Sequence, residues 1–254
     1  MRSVRATALS VLATTALLAG LSFAPVAAQA GDDAAGVVTD WNVNALGAIN
    51  ASGAAPTTGS VLMGMVHGAV YDAVVSIAGG YEPYLGQLEA DPDASKVAAA
   101  AAAAHGVLAG LFPDQSADLQ AKLDASLADV SEGPARDAGL AVGEAAAAAM
   151  LAEREGDGRG EPNPLTWDEG PGDYRPTPPA YAEYVDAGVA NVRTFLADDA
   201  TYYRTAGPLA LDSPEYAAEL EEVRTLGVRE GSTRTPEMDE LIAFWFGPAP
   251  QWSM

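Results

Sequence analysis

Cysteine is absent from all 254 residues, and histidine occurs only twice, at His67 and His105. Without thiols the chain has no disulfides, thiolate metal sites, iron–sulfur ligands or cysteine nucleophiles, so its fold rests on an apolar core alone. Two histidines are too few for a multi-histidine metal centre. Positive charge is scarce as well: 13 lysines and arginines face 35 aspartates and glutamates, a net charge of −22. Such a surface repels phosphate backbones, which argues against nucleic-acid partners, and it disfavours anionic membranes. There is no GxSxG, phosphate-binding glycine loop, HExxH or dinucleotide fingerprint.

What is present is globular in composition: 49% of residues are hydrophobic and 19% charged, over a length that suits one or two domains. The N-terminus carries Arg2 and Arg5, an apolar run from Ala6 to Ala24, then Pro25 and the small-residue triplet Ala28-Gln29-Ala30. This is the pattern of a secretory signal over residues 1–30, cleaved after Ala30, and it predicts a secreted, extracytoplasmic protein with no membrane attachment after cleavage. An uncleaved anchor is the rival reading, but the run contains Thr and Ser and a cleavage site follows directly. Loss of the two arginines raises the mature negative charge to about −24.

Beyond a polar stretch containing Trp41, the spacing of apolar residues predicts four helices. The first runs through TTGSVLMGMVHGAVYDAVVSIAGG, with Thr57, Thr58 or Ser60 as cap and Gly79-Gly80 as stop. The second runs from Asp93 or Ser95 to Leu111 and is halted at Phe112-Pro113. The third spans roughly Gln115 to Val130, with Leu119, Leu123 and Leu127 at four-residue spacing. The fourth opens with Pro134 in its first turn. Alanine-rich faces permit close approach, so residues 31–155 read as an all-α, alanine-rich helical bundle. From Gly156 to about Ala182, six prolines and five glycines exclude long helices and indicate an extended ordered loop. Shorter pieces follow at 190–198 and 213–227, and a last helix begins at Pro236 and runs into Phe244, Trp245 and Phe246.

None of these segments carries a self-sufficient active site. His67 and Asp72 are five apart, so they do not share a helix face, whereas His67 and Tyr71 do. His67 reads as a histidine satisfied by hydrogen bonds in or beside the bundle, with Asp72 pairing locally, and His105 as a partly buried or flanking histidine. Arg175, Arg229 and Arg234 lie among acidic residues and read as local ion-pair or loop hydrogen-bond donors. Asn50-Ala51-Ser52 is a glycosylation sequon, relevant only in a eukaryotic secretory pathway.

Several phrases nonetheless form a recognisable series. They are Gly64-Met-Val-His67-Gly-Ala-Val-Tyr71-Asp72-Ala73-Val74, then Tyr81-Glu82-Pro83-Tyr84, then Trp167 with Gly170 to Pro179. They continue with Leu211 to Tyr216, Glu221 to Gly227, Ser232 to Glu237 and Ile242 to Trp245. In order and spacing, from Trp41 onward, this series resembles the N-terminal portion of bacterial vanadium-dependent haloperoxidase-like proteins, of the type 2 phosphatidic acid phosphatase superfamily. The resemblance implies an incomplete half of a larger two-bundle fold, residues 156–254 being the loop plus the start of a second helical part. The intact family oxidises halide with hydrogen peroxide at a bound vanadate, and a phosphatase is the nearest variant. Its oxyanion is caged by a Lys followed by Arg-Pro, by a Pro-Ser-Gly-His segment, and by a Ser-Arg with a downstream His, because so charged a group needs converging cationic and N–H donors.

Those three motifs do not occur here. Lys96 and Lys122 precede no suitable Arg-Pro, Arg175-Pro176 follows acidic residues, and both histidines come before residue 106. No catalytic, cofactor-binding or metal-binding residue is therefore assigned. Two readings remain: a truncated haloperoxidase-like chain, inactive alone, whose aromatic end is the start of a linking helix, or a secreted, non-catalytic helical domain with a binding or structural role. In the first, apolar surface left without its second half is expected to drive self-association.

Overall fold

The computed structural model describes residues 34–161, 170, 171, 173–198 and 200–245. The expected signal at 1–30, Trp167 and Gly172 of the proline-rich stretch, and the tail from Phe246 to Met254 lie outside them. Among the described residues the protein is all-α, with seven α-helices, short 3₁₀ turns and no strand.

The helices are α1 (Ala34–Ala51), α2 (Pro56–Ala78), α3 (Lys96–Leu111), α4 (Ser116–Leu127), α5 (Pro134–Glu153), α6 (Pro214–Leu226) and α7 (Pro236–Trp245). The first five form the bundle, one more than the sequence predicts. The polar stretch around Trp41 is helix α1, whose Val37, Trp41, Ala45, Ala48 and Ile49 are buried at helical spacing. Trp41 is 2% exposed, and its indole Nε1 donates to Ser126 Oγ of α4 at 3.1 Å. Packing thus overrides the low intrinsic helix propensity of the Asn, Thr, Asp and Gly residues in α1.

At the centre lies α3, touched by α1, α2, α4 and α5. Its run Ala98 to Ala104 is buried throughout, as expected of a helix apolar on all sides. Ser95 caps it, accepting a hydrogen bond from Ala98 N–H at 3.2 Å, and Ser95 N–H donates to Ala135 O at the start of α5. The two helices begin together and run side by side in the same direction. Along α5 the seam residues recur every four: Gly139 lies against Ser95 and Ala98, Gly143 against Ala99 and Ala102, Ala147 against Gly106, and Leu151 against Gly110. A Cβ on Gly143 would stand 2.4 Å from the Ala99 carbonyl oxygen, and one on Gly139 2.3 Å from that of Ser95. Glycine here serves backbone proximity and not a special backbone angle. An alanine methyl removes little area from water, so the seam coheres through the many van der Waals contacts that this proximity allows.

Against α5 lies α2, where Gly68 leaves room for the Met150 methyl, which an added Cβ would meet at 2.5 Å. By length and composition α2 could cross a membrane, but 56% of its most apolar window is buried among the other helices. Its N-terminus also departs from expectation. Thr57, Thr58 and Ser60 are inside the helix; the N-cap is Ala55, which offers no side-chain hydrogen bond, and Pro56 opens the first turn. The C-terminal end is as predicted, with Gly79 at φ 67°.

The seam makes a paired prediction. Gly143→Ala should lower stability by about 1–3 kcal/mol despite alanine's better helix propensity, because a methyl there meets backbone. Gly47→Ala in α1, where nothing lies within 4 Å of the added methyl, should raise stability by about 0.5–1 kcal/mol. Urea denaturation of both variants decides between close approach and simple helix propensity.

Candidate functional site

On α2, the stretch that attracts chemical attention is divided by the helix surface. His67 and Tyr71 share the exposed side, as their spacing predicts, and His67 makes no hydrogen bond to another described residue. The expectation of a satisfied histidine in or beside the bundle is corrected: the Met65 and Val66 side chains take the core and turn His67 to solvent. Asp72 is buried and does pair locally, accepting from the N–H groups of Tyr84 at 2.6 Å and Leu85 at 3.0 Å. One turn on, Ser76 Oγ accepts from Leu88 N–H, and Tyr71 Oη donates to Glu82 O. The side chains of α2 thus replace the missing backbone partners of the Tyr81–Leu88 segment, a structural role.

His105 is half-buried with its ring edge-on to Trp41, centroids 6.3 Å apart. Burial pulls its pKa below the ordinary value, against the opposing charges of Asp124 and Glu144. His67 is exposed whereas His105 is half-buried against Trp41, and no contact joins the two histidines among the described residues.

The densest polar cluster begins where α5 ends. Arg154 has no exposed surface; its guanidinium pairs with Asp157 at 2.8 Å and donates to the carbonyls of Arg193 at 2.7 Å and Thr194 at 3.4 Å. Its outer face lies 4.2 Å from the centroid of the Phe195 ring, a cation–π contact. Arg159 Nε reaches both oxygens of the same Asp157, at 2.8 and 2.9 Å, and Arg159 Nη2 donates to Arg154 O. Burial pushes the Asp157 carboxyl up, but hydrogen bonds and charge from Arg159, with Arg154 behind it, hold it below the ordinary value. Phe195 in turn lies over Gly64 of α2, where a Cβ would come within 3.0 Å of the ring, and beside Tyr84. This knot fastens residues 191–195 to the bundle.

A second tether closes the gap left by Ala55. Asp186, at φ 59°, sits at the N-terminus of α2. It accepts from Thr58 N–H at 2.8 Å, from Thr58 Oγ1 at 2.8 Å and from the Thr57 hydroxyl. It is an N-cap supplied from 128 residues away. The Thr57 hydrogen bond leads in lowering its pKa; burial opposes and Thr58 adds. Beside it opens a cavity of about 650 Å³, lined by Thr58, Arg159, Glu161, Tyr184 and Asp186 among others. A carboxylate with a lowered pKa is a weak base, and Arg159 is already committed to Asp157, so the cavity assembles no activated nucleophile.

The remaining arginines behave as the sequence suggests where their contacts are described. Arg234 pairs with Asp239 at 2.7 Å and donates to the carbonyls of Leu226 and Val228. Arg175 is exposed; Arg229 is exposed too, and its side chain makes no ion pair or hydrogen bond to another described residue, so the expectation is corrected for it. Arg193 pairs with Glu153, Arg224 with Glu221 and Lys122 with Asp118. Even where Arg154, Arg159 and Arg193 gather, they are held by Asp157 and Glu153, so they are not free to converge on an oxyanion as a vanadate cage requires. Among the described residues no three acidic or histidine side chains gather closely enough to hold a metal ion. Arg154, Asp157, Asp186 and Phe195 were not singled out from sequence; the only local signal was a charged Arg154-Glu-Gly-Asp157-Gly-Arg159 run just past a helix end.

No family model matches the chain, and neither a curated protein nor a solved structure matches it.

The tether at Asp186 carries a pH signature. Because its folded pKa is lowered, the charged cap's contribution is present above the ordinary carboxylate range and lost as pH falls through the folded value. Asp186→Asn keeps an accepting oxygen and removes the charge, so it should cost about 0.3–1 kcal/mol near neutral pH, and the gap to wild type should narrow as pH falls through the folded value. Urea melts of both proteins across that range test this.

Proposed function

We propose that the chain is a secreted haloperoxidase-like protein whose described part is a helical scaffold without its own catalytic centre. The observation that carries this reading is the commitment of the cations. Arg154 and Arg159 are held by Asp157, and Arg193, Arg224 and Arg234 by Glu153, Glu221 and Asp239, so none of these is left to neutralise an oxyanion. The family reading itself rests on the ordered series of sequence phrases from Gly64 to Trp245. Vanadate belongs to the intact family protein in this proposal, and a phosphatase of the same superfamily is the nearest alternative. A non-catalytic secreted binding domain is the second reading, favoured by the large apolar side chains that α6 and α7 expose.

Purified chain supplied with vanadate, bromide and hydrogen peroxide should show no halogenation above the protein-free rate, and with vanadate removed no phosphomonoesterase activity. Turnover that rises with added vanadate would overturn the scaffold reading. Export is tested separately: chain expressed with its leader in a bacterial secretion host should reach the medium or periplasm with an intact mass beginning at Gly31. Retention of the unprocessed chain in the cytoplasm would remove the secretory assignment, and an unprocessed mass outside it would remove the cleavage after Ala30.

A further inference from the structure

The last two helices form a feature that the bundle does not use. Neither α6 nor α7 contributes a buried residue, yet together they enclose an apolar groove of about 430 Å³. Val223 and Leu226 of α6 face Met238, Leu241 and Ile242 of α7 across it. Leu241 is 58% exposed and Ile242 47%. The groove is held in shape from one end, where Arg234 bonds the Leu226 and Val228 carbonyls at the close of α6 and pairs with Asp239 of α7. Along its α6 wall, Glu215, Glu219 and Glu222 recur at four- and three-residue spacing on the face that carries Leu226. None of the three makes an ion pair among the described residues, whereas the nearby arginines Arg224 and Arg234 are paired.

We propose that this groove receives a cationic amphipathic helix of a partner protein. Its apolar residues, at helical spacing, would fill the floor, and its lysines or arginines would lie along the carboxylate row. Charge selects this occupant. A second copy of the chain would set the same three glutamates against their like, and an anionic bilayer would meet the same repulsion. A basic helix satisfies both the floor and the row, in the helix-in-groove manner. The 13 residues of α6 give a wall about 20 Å long, the length of three to four helical turns. This inference stands on α6 and α7 alone and is independent of the family reading.

The test uses the full chain and two labelled synthetic helices of about 18 residues. Both carry Leu at i, i+3, i+4 and i+7; one has Lys at the remaining positions, the other Glu. Fluorescence anisotropy should show saturable binding of the Leu/Lys helix, weakening as salt rises, and none of the Leu/Glu helix. Because any basic peptide is drawn to so acidic a protein, the deciding variant leaves charge unchanged. Leu241→Gln with Ile242→Gln should weaken binding about tenfold or more, through loss of two apolar anchors, while the thermal transition stays in place. Glu219→Gln with Glu222→Gln should weaken it several-fold and flatten the salt dependence. Undiminished binding to the first variant would assign the attraction to overall acidity and overturn the proposal. So would equal binding of the Leu/Glu helix, or a dimer in sedimentation equilibrium that the first variant dissolves, which would give the groove to a second copy.

Discussion

The close approach of α3 and α5 is the constraint on which the rest of the molecule depends. With Gly139 and Gly143 set against the Ser95 and Ala99 carbonyls, the two backbones are nearly in contact, and no side chain larger than a methyl fits most of the seam. The consequence extends beyond stability. A seam built from backbone and methyl groups has no room for a polar constellation, and the buried ion pair of Arg154 and Asp157 lies outside it, just past the last turn of α5. Trp41, Met65, Leu108, Leu119 and Met150 are the largest fully buried apolar side chains and add the larger areas that alanine does not supply.

The chain past the bundle is attached by a few long-range contacts and not by a continuous core. Arg154 takes two carbonyls from residues 193–194, Phe195 occupies the space that Gly64 leaves, and Asp186 caps a helix that cannot cap itself. A buried ion pair is costly unless fully hydrogen-bonded, and the knot nearly meets that demand: among the described residues only the buried Arg154 Nε lacks a partner. Its worth is therefore in fixing one path for the chain more than in net stabilisation. Beyond the last of these tethers, Ser213 caps α6, Arg234 joins the end of α6 to α7, and neither helix contributes a buried residue among those described.

Much of this was legible in the sequence, for identifiable reasons. Helices α2 to α5 announce themselves through periodic apolar residues, through Ser95 as cap and Pro134 as opener, and through the Phe112-Pro113 stop. The start of α6 at Ser213-Pro214 and of α7 at Pro236 follows the same local chemistry. Helix α1 was hidden because its stripe of Val37, Trp41, Ala45 and Ile49 is interleaved with Asn, Asp, Thr and Gly, whose propensities point the other way until Trp41 is packed. The cap by Asp186 and the Arg154 knot could not be read at all, since each joins residues tens to more than a hundred positions apart and no local pattern marks the partner. His67 misled for a simpler cause: it sits on the apolar-rich helix α2, but on the side that the core leaves to water.

The two tethers also determine where the molecule tolerates change. Asp157 and Arg159 secure the chain on one side of the proline-rich segment, and Asp186 secures it on the other, at the head of α2. What joins Glu161 to Asp186 therefore begins and ends at fixed points, and none of its described residues belongs to the α3–α5 seam. Closing a connection of twice that length would cost only about 0.6 kcal/mol in chain entropy. An inserted module is therefore expected to be tolerated between these two points, while the same insertion a few residues earlier would cut through the arginine knot.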